Sequence, residues 1–569
     1  MRNERSFLMR RLFDEHIKRN VASLDGAWMA EADKDSIGES QGWQSALPSP
    51  HRVTVPSVWN TELSMLEYEG RVWYEKTFYT EGGTLRFNFG AVMTYAKVYL
   101  DGELLGDHYG GFCRFGFIKR DVAKGAHTLT VMADNSFDKK SIPQTMVDWY
   151  HYGGITRSVS LESLSGIVTL SARFDYTLSG DSADASVTLE LYNADGAEIS
   201  DGVSVFLDGE RIAGEEVTLA AGEYRELKLS GIKLSGIRRW SPESPSLYGL
   251  IVATSSDDLY DRVGFRDIAT DGRDILLNGE KIKLRGINRH EDHPDFGMAL
   301  PTQIMLRDLE IIEGANCNAI RGSHYPNAKE FLDLLDERGI LFWSEIPIWG
   351  HGFTPEQLAD PDVIERGLNM HKEMVKEYYN HPSIILWGMH NEIDSNTEQG
   401  KNISRIYYEF LKKNGGNRLV TYASDRKDND ISMEYCDVIS LNHYIGWYDA
   451  PFKNWDEYID TMEKHFEKYG LNKPVIMGEF GAAAIYGHHT FDNLKWTEEY
   501  QADLLESSIA LFHKRGFAGT FIWQYSDIRT SKDMGLNRAR SFNNKGIVNE
   551  YRRPKLAYGA VKGAYKKIK

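Results

Sequence analysis

Two glutamates close short apolar runs in the second half of the chain. Glu392 ends IILWGMHNE (384–392), and Glu479 lies in KPVIMGEFG (473–481). Cleavage of a glycosidic bond with retention needs two carboxyl groups about 5–5.5 Å apart. One attacks the anomeric carbon and the other protonates the leaving oxygen. Carboxylates that close oppose each other's ionisation, so one keeps its proton near neutral pH and can act as an acid. The sequence assigns Glu392 as acid/base and Glu479 as nucleophile. Other run ends carry chemistry that fits. Arg321, in CNAIRGSH (317–324), can hold a carboxylate ionised through a charge-assisted bond. Asn391 can meet a sugar 2-hydroxyl. Trp523, in GTFIWQYSD (519–527), offers a flat apolar face to a pyranose ring. His290 and His324 are expected sugar contacts, and Glu345 a support for them or a structural carboxylate.

These residues need a scaffold that brings distant run ends together. After about residue 271, eight apolar runs alternate with helical patterns such as NAKEFLDLLDERG and WTEEYQADLLESSIALFHKRG. The runs are 281–288, 317–324, 340–347, 384–392, 419–425, 437–444, 473–481 and 519–527. Eight such units predict a (β/α)₈ barrel, whose active site is built at the C-terminal ends of its strands. A doubly wound open sheet would not need a polar residue at nearly every run end. In a closed barrel the fourth and seventh strands face each other, so Glu392 and Glu479 share one mouth. The first half reads as β-structure. TLRFNFG, AKVYLDGELL and HTLTVMAD alternate apolar and polar residues, and Asp-Gly between two alternating runs predicts a hairpin. Residues 166–270 carry short strands about 10 residues apart, the spacing of a β-sandwich. No useful helical period precedes residue 300. The expected division is therefore 1–165, 166–270 and 271–569.

Composition narrows the function classes. With 569 residues, 41% hydrophobic and 12% aromatic, the chain can bury a large core, and disorder is excluded for most of it. A net charge of −17 excludes a general nucleic-acid binder. It leaves room for an anionic substrate, because a local cation overrides a global charge. Cys113, Cys317 and Cys436 are far apart, with no CxxC and no histidine cluster at metal spacing, so neither a disulfide framework nor a zinc site is expected. The first residues, MRNERSFLMRRLFDEHIKRN, lack the apolar stretch of a signal peptide, and no later run approaches a membrane span. The expectation is a soluble cytoplasmic protein with no metal, no cofactor and no membrane partner.

The pieces GINRHEDHPDFG (286–297), NAIRGSHYPNAKEFLDLLDERG (318–339), HPSIILWGMHNE (381–392) and KPVIMGEFG make the chain similar to glycoside hydrolase family 2 over essentially its whole length. The resemblance departs at Ile393, where the family usually has proline, and at GEFG, where SEYG or TEYG is common. It implies an N-terminal jelly-roll-like β-sandwich, an immunoglobulin-like β-sandwich and a C-terminal catalytic (β/α)₈ TIM barrel. It also implies that Tyr444 hydrogen-bonds the nucleophile, that Asp148 in VDWYHYGGI reaches the sugar hydroxyls from the first domain, and that the protein is a homo-oligomer, dimer or tetramer. Asn543-Asn544-Lys545-Gly546 resembles the Asn-x-Lys signature of family members that take glucuronides, with Asn543 and Lys545 at its two defined positions. An ammonium plus an amide donor suits the C6 carboxylate of a uronic acid. A neutral hexose would leave that lysine desolvated and unpaired. LNHYIGWY (441–448) adds Tyr448 to the carboxylate side, and Arg538 or Arg540 adds positive potential. The implied substrate is thus a small-molecule or oligosaccharide β-glucuronide, cleaved by a retaining exo-hydrolase. A β-galacturonide, a β-galactoside and a catalytically silent carbohydrate binder stay open as alternatives. The short segment 348–371 predicts an open site suited to large leaving groups.

Overall fold

The computed structural model describes residues 15–568 except 536. The charged N-terminal stretch read above for a missing signal peptide therefore lies largely outside the described residues.

Period-two alternation builds the first unit. Its smaller sheet runs in the order Asn20–Ser23, Val159–Leu164, Gly83–Phe89, Phe115–Val122, and its larger one in the order His51–Val55, Gly26–Asp33, Arg71–Thr80, Gly125–Asp134, Tyr95–Leu100, Glu103–Tyr109. Alternate side chains of these strands, among them Leu85, Phe87, Phe89, Val72, Tyr74, Leu129 and Val131, form one buried core between the sheets. The predicted Asp-Gly hairpin is present: Asp101 and Gly102 both take positive φ (51° and 83°), as a primed two-residue turn requires. The second unit is another antiparallel sandwich, of Ile167–Ser179, Ser182–Asn193 and Tyr224–Leu234 against Glu210–Leu219, Ile199–Leu207, Tyr248–Ala253 and Asp258–Val263. Val187, Leu189, Val203, Val205, Leu250 and Val252 fill its centre. Among the described residues before 300, the helical content is one short 3₁₀ turn, Trp59–Thr61.

The remaining strands close a barrel. They are β1 (Leu284–Arg289), β2 (Ala319–Gly322), β3 (Leu341–Glu345), β4 (Ile384–Asn391), β5 (Leu419–Ser424), β6 (Ile439–Asn442), β7 (Val475–Phe480) and β8 (Gly519–Ile522), all parallel. Pairing of Leu284 with Gly519 seals the ring. Seven of the strands fall within the runs read from the sequence, and β1 ends one residue past its run, at Arg289. The surrounding helices start and stop where side chains satisfy their ends. Helix Pro361–Tyr378 has Pro361 at its first turn and Asp360 accepting from the Asp362 amide, while Thr397 and Thr497 cap Glu398–Asn414 and Glu498–Lys514. Lys329–Arg338 ends on Gly339 at φ 70°, a left-handed conformation that favours glycine. The fifth unit departs from the expected pattern. Between β5 and β6 there is only a 3₁₀ turn, Lys427–Asn429. The buried Asp430 organises that connection instead, accepting from the Ser424, Ser395 and Tyr422 hydroxyls and the Ser432 amide.

Candidate active site

The strand ends bring the two glutamates into one hydrogen-bonded network. Arg321, from β2, donates Nη1 to Glu479 Oε1 (2.7 Å) and Nη2 to Asn391 Oδ1 (2.7 Å). Tyr444 donates its hydroxyl to Glu479 Oε2 at 2.7 Å. Asn442, at the end of β6, donates Nδ2 to Glu392 Oε1 (2.8 Å) and to Asn391 Oδ1 (3.2 Å). Arg321, Asn391 and Asn442 therefore link Glu479 to Glu392 in one chain of hydrogen bonds. Glu392 itself is held in the left-handed region, φ 52°, unusual for a non-glycine residue and a form of strain that concentrates at functional sites. Its amide donates to the Ala423 carbonyl at 2.9 Å, and its own carbonyl accepts from Arg426 Nη2 at 2.8 Å.

Electrostatics couples the pair. Burial pushes the Glu479 carboxyl up to about 8, against the pull of Arg321 and Tyr444 and with a further push from Glu392. The two carboxyls therefore titrate as a coupled pair, in which the Arg321 and Tyr444 donors favour ionisation of Glu479 and leave the pair's proton to Glu392. Burial also pushes His290 and His324 well below the ordinary histidine value, so both rings are neutral. His324 Nδ1 is hydrogen-bonded to Glu345 Oε1 at 2.7 Å, and the Trp523 ring stacks on His324 with centroids 5.1 Å apart. His290 meets the edge of Trp523 at 5.4 Å and bonds the Tyr325 hydroxyl at 3.2 Å.

A second cluster lies beside Tyr444. Lys545 Nζ is hydrogen-bonded to the Tyr448 hydroxyl at 2.5 Å and sits 4.6 Å from that ring's centroid and 5.4 Å from that of Tyr444. Burial lowers the Lys545 ammonium. Burial acts to raise the Tyr448 phenol, but Lys545 and Arg538 outweigh it and hold it below its ordinary value. Arg538 donates to both oxygens of Asp148 and to the Tyr448 hydroxyl. Of the two candidate arginines, Arg538 therefore joins the cluster, whereas Arg540 turns to Glu550, Asp527 and Asn544. Two further residues singled out from the sequence join the cluster. Asn543 Nδ2 donates to Asp148 Oδ2 at 2.8 Å, and Asp148 is engaged by Arg538 and Asn543.

Several residues that hold the site were not singled out from the sequence. Lys555, buried, donates to Asp527, to the Asn544 carbonyl and to the Ala484 carbonyl, and Gln501 Nε2 donates to the Lys545 and Gly546 carbonyls. These bonds fix the turn that carries Lys545. Trp149, next to Asp148, packs its ring 5.6 Å from His290 and 5.5 Å from His324. Asp333, Asp336 and His381 form a buried His/carboxylate group, but Arg262 pairs with Asp333, and His381 with the Ser383 amide occupies Asp336. That group is internally compensated and belongs to the packing of the second sandwich on the barrel.

Coupled carboxyls on β4 and β7 of a parallel barrel, ringed by aromatic faces and amide donors, are the equipment of a glycoside hydrolase. The chain belongs to glycosyl hydrolases family 2: the family's TIM barrel domain matches residues 268–569, its sugar binding domain 21–165, and its remaining domain 164–266. Among solved structures it is similar to a β-galacturonidase of Eisenbergiella tayi bound to galacturonate, at 35% identity and TM-score 0.91 over 98% of this chain and 99% of that one. It is also similar to the β-glucuronidase of Ruminococcus gnavus, at 26% identity and TM-score 0.85 over 96% and 98% of the two chains. A β-glucuronidase of Paenibacillus borealis is 26% identical, covering 95% of this chain and 96% of its own.

Proposed function

We propose that this glycoside hydrolase removes terminal β-D-glucuronic acid residues as a retaining exo-enzyme. The observation that carries the reading is Lys545. The residue is 2% exposed, its ammonium is bonded to a tyrosine hydroxyl, and among the described residues no carboxylate lies within ion-pair distance of it. A buried cation in that state is completed by an anionic ligand, and a uronic acid brings one on C6. In the reaction, Glu479 attacks the anomeric carbon as Glu392 passes its proton to the glycosidic oxygen, releasing the aglycone. Glu392 then takes a proton from water, whose oxygen displaces Glu479 and frees glucuronate. Asn391 supports the reading further: its Nδ2 is buried without a protein partner and suits a sugar hydroxyl. Hydrolysis of p-nitrophenyl glucuronide, galacturonide and galactoside, compared by kcat/KM with wild type and Glu479→Gln, tests the assignment. Preference for the galactoside would remove the uronide reading, and undiminished turnover by Glu479→Gln would remove the mechanism.

A second reading, a β-galacturonidase, is favoured by the 35% identity to the Eisenbergiella tayi enzyme against 26% to the glucuronidases. Both sugars present the same carboxylate and differ in the orientation of one hydroxyl. A kcat/KM for the galacturonide about tenfold above the glucuronide would move the assignment, since a single hydroxyl is worth about that much or more.

The short connection after β3 suits large leaving groups. Only a 3₁₀ turn (Gly350–Gly352) and one short helix (Pro355–Leu358) precede helix Pro361–Tyr378, and Gln357 ties them to the Lys139 carbonyl of the first unit. Better kcat/KM on phenolic than on oligosaccharide uronides would contradict this. A cytoplasmic location fits three buried, unbridged cysteines, and no described helix is long and apolar enough to cross a membrane. Light scattering tests the expected homo-oligomer.

A further inference from the structure

Arg321 serves several masters with one rigid plane. Besides Glu479 and Asn391, it donates Nε to Glu345 Oε2 at 3.0 Å and Nη2 to Glu345 Oε1 at 2.9 Å. Both side chains of that pair are fully buried, and the guanidinium lies 4.2 Å from the ring centroid of Trp343 on β3. A guanidinium has its donors in a fixed fork, so a bidentate carboxylate on one edge sets where the other edge points. With Nε and one side of Nη2 anchored on Glu345, Nη1 is directed at Glu479. The same Glu345 Oε1 holds His324, on which Trp523 stacks. β4 leaves room for this arrangement: a Cβ on Gly388 would lie 2.3 Å from Trp343 Nε1 and 2.5 Å from the Glu345 Cβ.

We propose that Glu345 is a positioning residue for hydrolysis: it fixes the plane of Arg321 against Glu479, and it divides that guanidinium's charge between the two carboxylates. The inference rests on the reading of Glu479 as nucleophile. The titratable groups around Glu479 are Arg321 and His324 from the end of β2, Glu392 from β4 and Tyr444 after β6, with Glu345 behind Arg321. Removing the charge of Glu345 leaves Arg321 undivided on Glu479. The coupled carboxyls then lose their last proton at lower pH, and the basic limb of the activity profile moves down. Removing only its reach leaves the charge in place and spoils the geometry.

The test begins with wild type and an activated 2-deoxy-2-fluoro uronide. Mass spectrometry should locate the trapped sugar on Glu479; a label elsewhere removes the nucleophile assignment and, separately from anything Glu345 does, the basis of the proposal. Glu345→Gln should then lower kcat about 10–100-fold with KM within about threefold, the scale expected of a misplaced reacting group. Its basic limb should fall by about half a pH unit or more, because an unshared cation favours the carboxylate. Glu345→Asp should lose kcat similarly but keep the wild-type limb. A labelled Glu479 together with wild-type kcat and an unmoved limb in Glu345→Gln would overturn the proposal. Should Glu345→Gln fail to fold by circular dichroism, Glu345→Asp decides: a kcat about tenfold down at unchanged KM upholds the role, and a kcat within about twofold of wild type ends it.

Discussion

A lysine ammonium taken out of water beside a phenol, with no carboxylate partner among the described residues, is tolerated by the fold rather than stabilising it. That sign gives a sharp expectation. Lys545→Met should lower kcat/KM on a uronide by about one charge-assisted bond, ~1.5–3 kcal/mol or roughly 10–150-fold. The unliganded protein should melt at the same temperature as wild type or above it. Kinetics on p-nitrophenyl glucuronide and calorimetry measure the two effects, and full uronide activity in the variant would contradict the role. Glu479 makes a comparable point through pH. Its folded-state carboxyl is raised from 4.5 to about 8, chiefly by burial. The folded chain therefore holds a proton that the unfolded chain releases. This contribution to stability is complete below about 4.5 and is lost as pH rises through about 8. Glu479→Gln, which has no charge to bury, should gain on wild type in melting temperature across that window and hold a constant difference above it. A difference flat from pH 4 to about 9 would show that burial does not act on this group. Glu392, Glu479, Arg321, Tyr444 and Lys545 were legible in sequence because each sits in a short contiguous motif at a strand end or turn. Arg538 was not distinguishable from Arg540, since their divergence depends on loop conformation: Arg540 takes φ 63° and faces Glu550, while Arg538 reaches across to another domain.

At the level of elements, the eight barrel strands were readable because buried parallel strands are short apolar runs and the chemistry at their ends is polar. The missing fifth helix was not readable. One buried aspartate with several donors, Asp430, replaces it, and nothing in the residues 425–438 marks that substitution. The close approach of the turn after β3 to the end of β4 was hidden for the same reason. A Cβ on Gly350 would lie 1.7 Å from the Glu392 carbonyl oxygen and 2.2 Å from its carbon, so the turn can pass there only as glycine. Glu392 already sits at φ 52°, and its backbone has no slack to absorb a shift. Gly350→Ala should therefore displace the acid/base group and cut kcat by about 100-fold, the usual scale for a misplacement near 1 Å. The loss should be larger with poor leaving groups, which need proton donation most, than with 2,4-dinitrophenol. Equal losses on both leaving groups would mean that the turn supports something other than Glu392. Lys555 illustrates a further limit of sequence reading. It is a lysine at the start of the last helix, yet its ammonium is buried among Asp527, Ala484 and Asn544, where it fixes the turn bearing Lys545.

Across the whole molecule, the cluster around Lys545 and Arg538 is shared between domains. Asp148 belongs to a loop of the first unit, and it accepts from Arg538 and Asn543, both in the barrel's last connection. The first unit also clasps the barrel elsewhere: Arg157 donates to Glu291 and to the Pro326 carbonyl, and Tyr152 donates to Asp292. Those contacts fix the domain against the β1 and β2 ends, so Asp148 arrives at a set distance from Arg538 rather than by chance of loop motion. Its carboxylate keeps the Arg538 guanidinium beside Tyr448 and orients the Asn543 amide, while Arg321, Glu392 and Glu479 are held wholly within the barrel. Losing Asp148 should thus weaken binding of the acidic sugar more than it disturbs bond cleavage. Asp148→Ala is expected to raise KM for a uronide by about 10–100-fold, the range of one or two charge-assisted bonds, with kcat changed by less than about fivefold. The trapping rate of a 2-fluoro uronide at saturation should stay close to wild type, because Glu479 keeps both of its donors. A variant that lost kcat while keeping KM would place Asp148 with the reacting atoms, and the division of labour between the two domains would have to be redrawn.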